Sequence, residues 1–421
     1  MTATDKPATN ETVTDKPVNE DSATETDAPA AAPADAPTPT TTSPTTTSPA
    51  ATSPAATAPA GGRPATVTRE RRSGALTPTG EEGFLTVENL TVQFPTADGV
   101  VNAVNGLSYS VPLGRTLAIV GESGSGKSVS SMAVLGLHDM RRTRMTGSIR
   151  LGGTEIVGMP EAELRKVRGG QVAMVFQDPQ SSLHPLFTVG HQIVEAYLVH
   201  HKGAGKATAK KRAIEMLDLV GIPNPQRRFN QFPHEFSGGM RQRAMIAMSL
   251  VNDPKLLIAD EPTTALDVTV QAQILDLLNN LQKEFGSAIV LITHDLGVVA
   301  EMADDVLVMY AGRCVEYGTA EDVLAQPRMP YTWGLLESIP TVSAENDRLR
   351  PIKGLPPSLL ALPDGCSFNP RCPYVDRVQG GRCKSELPEL LPVDGAGNHT
   401  SRCHLRDPHG VYAAEVEPRL G

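Results

Sequence analysis

The chain has 421 residues, 40% of them hydrophobic, and a formal net charge of -9. At roughly 100–200 residues per domain that length leaves room for two or three units. The acidic balance argues against nucleic acid as a main partner, since such binders usually carry a basic face, and no apolar run reaches the ~18 residues of a membrane-spanning helix.

Residues 1–80 are dominated by Ala, Thr, Pro, Ser and acidic residues, with repeats such as Thr42-Ser43-Pro44 and Thr47-Ser48-Pro49. The first aromatic residue is Phe84. Such a segment buries too little apolar surface to offset its conformational entropy, so it reads as a disordered tail, semi-extended where Pro is dense. Arg69, Arg71 and Arg72 form a basic cluster that suits either contact with acidic lipid or, as the better reading, a solvated linker. The beginning of the chain lacks the basic-then-apolar pattern of a signal peptide, which leads us to expect a cytosolic protein.

Order is expected from Phe84. Leu85, Val87, Leu90, Val92 and Phe94 suggest early strands, and Val111 to Val120 continues the pattern. Leu117-Ala118-Ile119-Val120, Leu256-Leu257-Ile258-Ala259 and Ala288-Ile289-Val290-Leu291-Ile292 are apolar without alternation. That suits strands buried on both faces of a parallel α/β sheet. Leu164 to Leu250 reads as mostly helix and loop. Val270, Ile274, Leu277, Leu278 and Leu281 recur at helical spacing and predict an amphipathic helix packed on the sheet. From about residue 325 the chain is rich in Pro and holds four of the five cysteines, while Cys314 lies in a strand-like stretch and is expected in the core.

Gly121-Glu122-Ser123-Gly124-Ser125-Gly126-Lys127-Ser128 fits the phosphate-loop pattern G-x-x-x-x-G-K-[ST], after one predicted strand and before a helix through Met132 and Leu135. Its glycines let backbone amides and the helix N-terminus face phosphates. Lys127 is expected to reach the β- and γ-phosphates of ATP, and Ser128 to ligate Mg²⁺. The apolar run 256–259 ends in Asp260 and Glu261. Asp260 is the expected second Mg²⁺ ligand and Glu261 the base that accepts a proton from the attacking water. The run 288–292 leads into Thr293-His294-Asp295, which offers His294 to the γ-phosphate.

One further string narrows the family. Phe236-Ser237-Gly238-Gly239-Met240-Arg241-Gln242-Arg243 resembles the signature motif of ABC ATPases, with Phe and Met at positions often written Leu and Gln. Val175-Phe176-Gln177-Asp178-Pro179 resembles that family's Q-loop, Ala265-Leu266-Asp267 its D-loop and His294 its switch histidine. Phe94 resembles, by position, the aromatic that stacks on adenine. The resemblance covers about residues 84–318.

It implies an α/β P-loop NTPase of the ABC type: a parallel core sheet, N-terminal antiparallel strands and a helical subdomain over about 180–250, in an ATPase domain spanning 84–325. It also implies an ATP hydrolase in which two cassettes sandwich nucleotide head to tail. Ser237, Gly238 and Gly239 would meet the γ-phosphate held on the other cassette. Asp267 would join the nucleotide-binding set, and Gln177 would sense γ-phosphate and metal beside the membrane subunit. With one phosphate loop and one signature, the chain is expected to pair with itself or a related subunit.

Pro330-Tyr331-Thr332-Trp333-Gly334-Leu335-Leu336 and Gly365-Cys366-Ser367-Phe368-Asn369-Pro370-Arg371-Cys372-Pro373 resemble segments of ATPase subunits from oligopeptide, dipeptide and nickel importers. That resemblance implies a C-terminal extension over 326–421 and a peptide importer with two membrane permeases, an extracytoplasmic binding protein and no nucleic acid. The ATPase would sit peripherally on the cytoplasmic face of the membrane. A nickel importer, and a soluble ABC ATPase without a transporter, are the competing readings. Cys366, Cys372, Cys383 and Cys403 are spaced C-x5-C-x10-C-x19-C. In a cytosolic protein this loop-rich quartet points away from disulfides and toward a [4Fe–4S] cluster, a zinc ion or free thiols.

Overall fold

The computed structural model describes residues 83–264, 266–339, 350–393 and 398–420. The expected tail over 1–80 and Ala265 of the D-loop string lie outside the described residues. Twelve strands are described: β1 Leu85–Thr96, β2 Gly99–Val111, β3 Thr116–Val120, β4 Arg144–Leu151, β5 Thr154–Glu155, β6 Val172–Val175, β7 Leu256–Asp260, β8 Ala288–Ile292, β9 Asp305–Tyr310, β10 Arg313–Thr319, β11 Leu391–Pro392 and β12 Thr400–Ser401.

They form two sheets. The smaller, in the order β2-β1-β4-β5, is antiparallel throughout. The larger runs β11-β12-β10-β9-β3-β8-β7-β6. Its strands β9, β3, β8, β7 and β6 pair in parallel, and β10, β12 and β11 extend it antiparallel.

The uninterrupted apolar runs are explained by burial on both faces. In β7, Leu256 and Ile258 enter a core shared with the small sheet, while Leu257 and Ala259 enter a second core beneath the helices of residues 189–250. β8 divides in the same way, with Ala288, Val290 and Ile292 on one side and Ile289 and Leu291 on the other. β3 sends Leu117 and Ile119 toward the small sheet, but Ala118 and Val120 toward a third core. That third core also holds Met329, Tyr331, Phe368, Cys366 and Cys383, so the C-terminal segment packs directly on the back of the phosphate-loop strand.

Two local expectations differ from the structure. The Val111–Val120 stretch is broken by a turn between β2 and β3, where Gly114 takes φ 72°. The stretch read as helix and loop contains β6, four buried residues that complete the parallel sheet beside β7. A four-residue apolar strand within a long helical region carries too little periodicity to be told from helix. Among the described residues, no helix is long and apolar enough to cross a membrane.

Candidate nucleotide site

In the large sheet β6, β7, β8 and β3 are successive neighbours and run parallel, so their carboxyl ends lie along one edge. Ligands of open α/β sheets bind at that edge. The segments leaving these four strands carry Gln177, Asp260 with Glu261, His294, and the phosphate loop.

The loop after β3 depends on glycine at two points. Gly121 has φ 150° and a Cβ there would lie 2.2 Å from the Met309 carbonyl oxygen; Gly126 has φ 102° and would meet the Ala103 carbonyl at 2.2 Å. Any side chain would force the loop off its support. Gly126 precedes the helix Lys127–Val134, whose first turn is therefore held against β2. Lys127 Nζ donates to the carbonyls of Gly121 (2.7 Å) and Glu122 (3.0 Å), folding back along the loop. Burial pulls its pKa down, opposed by Glu261, Asp260 and Glu122. The Ser125 hydroxyl is buried and has no hydrogen-bond partner among the described residues, a group a phosphate oxygen would satisfy. Ser123 and Gly124 are exposed on the loop's outer side.

Asp260 ends β7 almost fully buried. Burial pushes its carboxyl up from the usual range, with the Ser128 hydroxyl bond and Lys127 pulling it back. Glu261 follows with φ 46°, a left-handed conformation that is strained for a residue with a side chain. Its carboxylate gathers three partners: Gln177 Nε2 donates to Oε2 at 2.8 Å, Thr264 Oγ1 donates to the same oxygen at 2.9 Å, and His294 Nδ1 lies 3.3 Å from Oε1. The structure thus unites Gln177, Glu261 and His294, with Lys127 electrostatically coupled to Glu261. Thr264 was not singled out from the sequence; a Thr three residues after a strand-end Glu is the signal that marks it. Gln177 engages Glu261 through its amide nitrogen, leaving its carboxamide oxygen as the group that suits a hard cation.

Ser237 caps the 13-residue helix Gly238–Leu250 by accepting from the Met240 N–H at 3.3 Å. Gly238 is exposed, and Gly239 is pressed on Val270, where a Cβ would lie 2.9 Å from Val270 Cγ1. Gln242 Nε2 donates to the Pro262 carbonyl at 2.6 Å, tying this helix to the residue after Glu261. Asp267 caps the helix Val268–Phe285 by accepting from the Val270 N–H. Ser237, Gly239 and Asp267 make these local contacts, and among the described residues no bond joins them to the phosphate loop. Phe94 is half-buried and packs edge-on against His138, ring centroids 5.6 Å apart.

The four C-terminal cysteines gather in one region: the Cys403 thiol is electrostatically coupled to those of Cys366, Cys372 and Cys383. All four have raised pKa values from burial, Cys372 to about 12. Among the described residues, however, no group of three or more His, Cys, Asp or Glu side chains is arranged to hold a metal ion. Nothing here supports the iron–sulfur or zinc reading of Cys366, Cys372, Cys383 and Cys403, whose thiols pack as part of an apolar core. Cys314 is buried in β10 as expected.

Comparison with known proteins agrees with this geometry. A family model described as ABC transporter matches residues 104–264, and one described as oligopeptide/dipeptide transporter, C-terminal region, matches residues 315–378. The chain is 53% identical over 307 residues to the oligopeptide transport ATP-binding protein OppD of Escherichia coli K12, covering 73% of this chain and 89% of that one. It is 47% identical over 337 residues to the dipeptide transport ATP-binding protein DppD of Bacillus subtilis 168, covering 79% and 97%. Among solved structures, the dimeric bacterial ABC transporter cassette MJ0796 superposes with a TM-score of 0.51 at 28% identity, covering 56% of this chain and 98% of that one. The same cassette bound to ADP and Pi gives 0.51 at 27% identity, with the same coverage. The chain belongs to the ABC transporter ATP-binding protein family, in the group that carries the oligopeptide/dipeptide transporter C-terminal region.

Proposed function

We propose that this ATPase energises the import of oligopeptides or dipeptides. It would work with a second ATP-binding subunit, a copy of itself or a relative, two membrane permeases and an extracytoplasmic binding protein, docked on the cytoplasmic face of the membrane. The observation that carries the reading is the convergence of Gln177, Thr264 and His294 on Glu261 beside Lys127. A carboxylate held by three partners at the end of a sheet is placed to take a proton from water, and a buried Lys beside it is placed for phosphate. Extensive identity to oligopeptide and dipeptide transport proteins supports peptides as the cargo.

Residues 121–128 would hold Mg-ATP, with Ser128, Asp260 and the Gln177 oxygen as the magnesium donors. The oxygen-only donor set fits a hard cation, which would neutralise charge on the terminal phosphates. Glu261 accepts the proton of the attacking water, and His294 holds Glu261 while facing solvent, its side chain 66% exposed. Ser237 and Gly239 at the head of a capped helix close over the nucleotide of the partner cassette. Gln177 lies both at the site and beside the exposed Phe176, in a segment that continues to the exposed Leu186 and Phe187, a path from phosphate to permease. A [4Fe–4S] cluster or zinc ion on the cysteine quartet would be a staple for the C-terminal segment; iron and zinc content of aerobically and anaerobically purified protein measures it.

The function is tested by reconstituting the chain with its permeases and second ATPase in vesicles. ATP-dependent uptake of labelled peptide through a cognate binding protein is expected, with uptake lost in Glu261→Gln. Uptake of Ni²⁺ but no peptide would favour the nickel reading, and ATP hydrolysis indifferent to any permease would favour a soluble ATPase.

A further inference from the structure

The phosphate loop is held from outside the ATPase motifs. Arg371, in the turn between Cys366 and Cys372, is 3% exposed at its side chain and makes a two-pronged pair with Glu122, the second residue of the loop. Its Nη1 donates to Glu122 Oε2 at 2.6 Å and its Nη2 to Oε1 at 2.9 Å. The remaining donors reach the Tyr310 hydroxyl and the carbonyls of Ile352 and Lys353, so each guanidinium nitrogen is engaged. The plane rests near the rings of Tyr310 and Phe368, each 5.9 Å away. A second tether reaches the same loop residue: the Glu122 N–H donates to the Tyr331 hydroxyl at 2.8 Å. Both the side chain and the main chain of Glu122 are thus held by the C-terminal segment.

The location gives this contact a consequence for nucleotide. Glu122 lies close enough to Lys127 to raise its pKa, and Lys127 donates to the Glu122 carbonyl. An unpaired carboxylate here would repel the triphosphate and compete for the lysine. A two-pronged pair with a buried guanidinium cancels that charge and fixes the loop at once. We propose that Arg371 is a positioning residue for the ATP site: it neutralises Glu122 and keeps the phosphate loop in the form that receives Mg-ATP. The C-terminal segment is then part of the nucleotide machinery. This rests on the assignment of residues 121–128 as the nucleotide site.

The test is Mg-ATP and Mg-ADP binding by the full chain, measured by calorimetry on wild type, Arg371→Met, and Arg371→Met combined with Glu122→Gln. Arg371→Met is expected to weaken Mg-ATP about tenfold, the scale of one uncompensated charge near phosphate at intermediate dielectric, and to weaken the less charged Mg-ADP by less. Adding Glu122→Gln removes the stranded charge and should restore Mg-ATP affinity to within about threefold of wild type. A role confined to docking the C-terminal segment would show no such rescue. The proposal is overturned if folded Arg371→Met binds Mg-ATP like wild type, or if the double variant remains as weak as the single. Should Arg371→Met not fold, Arg371→Gln alone and combined with Glu122→Gln takes its place, and unchanged Mg-ATP affinity in Arg371→Gln, or no rescue in the double variant, would refute the proposal. Wild type that fails to bind Mg-ATP would sink the site assignment itself, a distinguishable result.

Discussion

At the scale of single residues, binding and hydrolysis should separate, because they rest on different strands. Lys127 enters from the loop after β3, whereas Glu261 enters from the end of β7. In the proposed site Lys127→Ala removes a charged donor to the phosphates, an interaction worth about 1.5–3 kcal/mol, so nucleotide affinity should fall roughly ten- to hundredfold. Calorimetric titration with Mg-ATP checks this; retained affinity would contradict the role. Glu261→Gln keeps the side chain's volume and one carbonyl oxygen but removes the proposed base. Turnover should fall by about 10²–10⁴, with Mg-ATP affinity little changed. Phosphate release in the presence of saturating Mg-ATP measures the first, and a variant turning over at the wild-type rate would remove Glu261 from its role. Lys127, Asp260, Glu261 and His294 were legible because each sits in a short contiguous pattern joined to an apolar strand. Arg371 was not, since its partner Glu122 is 249 residues away and no local spacing announces the pair.

At the scale of elements, the parallel strands were legible for the same reason that they hold the site. Burial on both faces demands continuous apolar runs, and the polar residues that end those runs gather at one sheet edge. β6, β12 and β11 were not legible, because two- and four-residue strands are recognised by their neighbours and not by their own pattern, whereas β10 was marked only by the strand-like stretch around Cys314. The start of β9 also carries a cost at neutral pH. Asp305 is paired with Arg115 at 2.8 Å, yet burial pushes its carboxyl up from 3.8 to about 6. A carboxyl raised in the folded state gives a contribution to stability that is full below about pH 4 and lost as pH rises through about 6. Asp305→Asn has no such titration. Its stability relative to wild type should therefore rise between pH 4.5 and 7.5, by on the order of 1–3 kcal/mol. Urea midpoints at the two pH values measure it, and a difference that stays constant or moves the other way would refute the assignment.

For the whole molecule, the decisive point is what one chain lacks. Ser237 and Gly239 head a helix whose cap is satisfied internally, and among the described residues no bond joins that helix N-terminus to the chain's own phosphate loop. Gly239 is pressed on Val270, so the approach to the helix head stays low only while residue 239 has no side chain. The free amides there suit a terminal phosphate presented by another cassette, and a helix N-terminus favours such charge. ATP should accordingly act as the adhesive between two cassettes, and hydrolysis should release them, because the contacts of Ser237 and Gly239 to the γ-phosphate would exist only in the closed pair. Slowing hydrolysis should then expose the closed state. Glu261→Gln with Mg-ATP is expected to run as a pair of cassettes in light scattering, with Mg-ADP giving single chains. Introducing Gly239→Val into that background places a branched side chain against Val270 and over the helix head. It should abolish the ATP-dependent pair while leaving Mg-ATP binding to each chain within about threefold, since the loop that binds lies on a different strand. If the double variant pairs as readily as Glu261→Gln alone, the helix beginning at Gly238 does not face the partner's nucleotide, and the closed-pair mechanism fails with it.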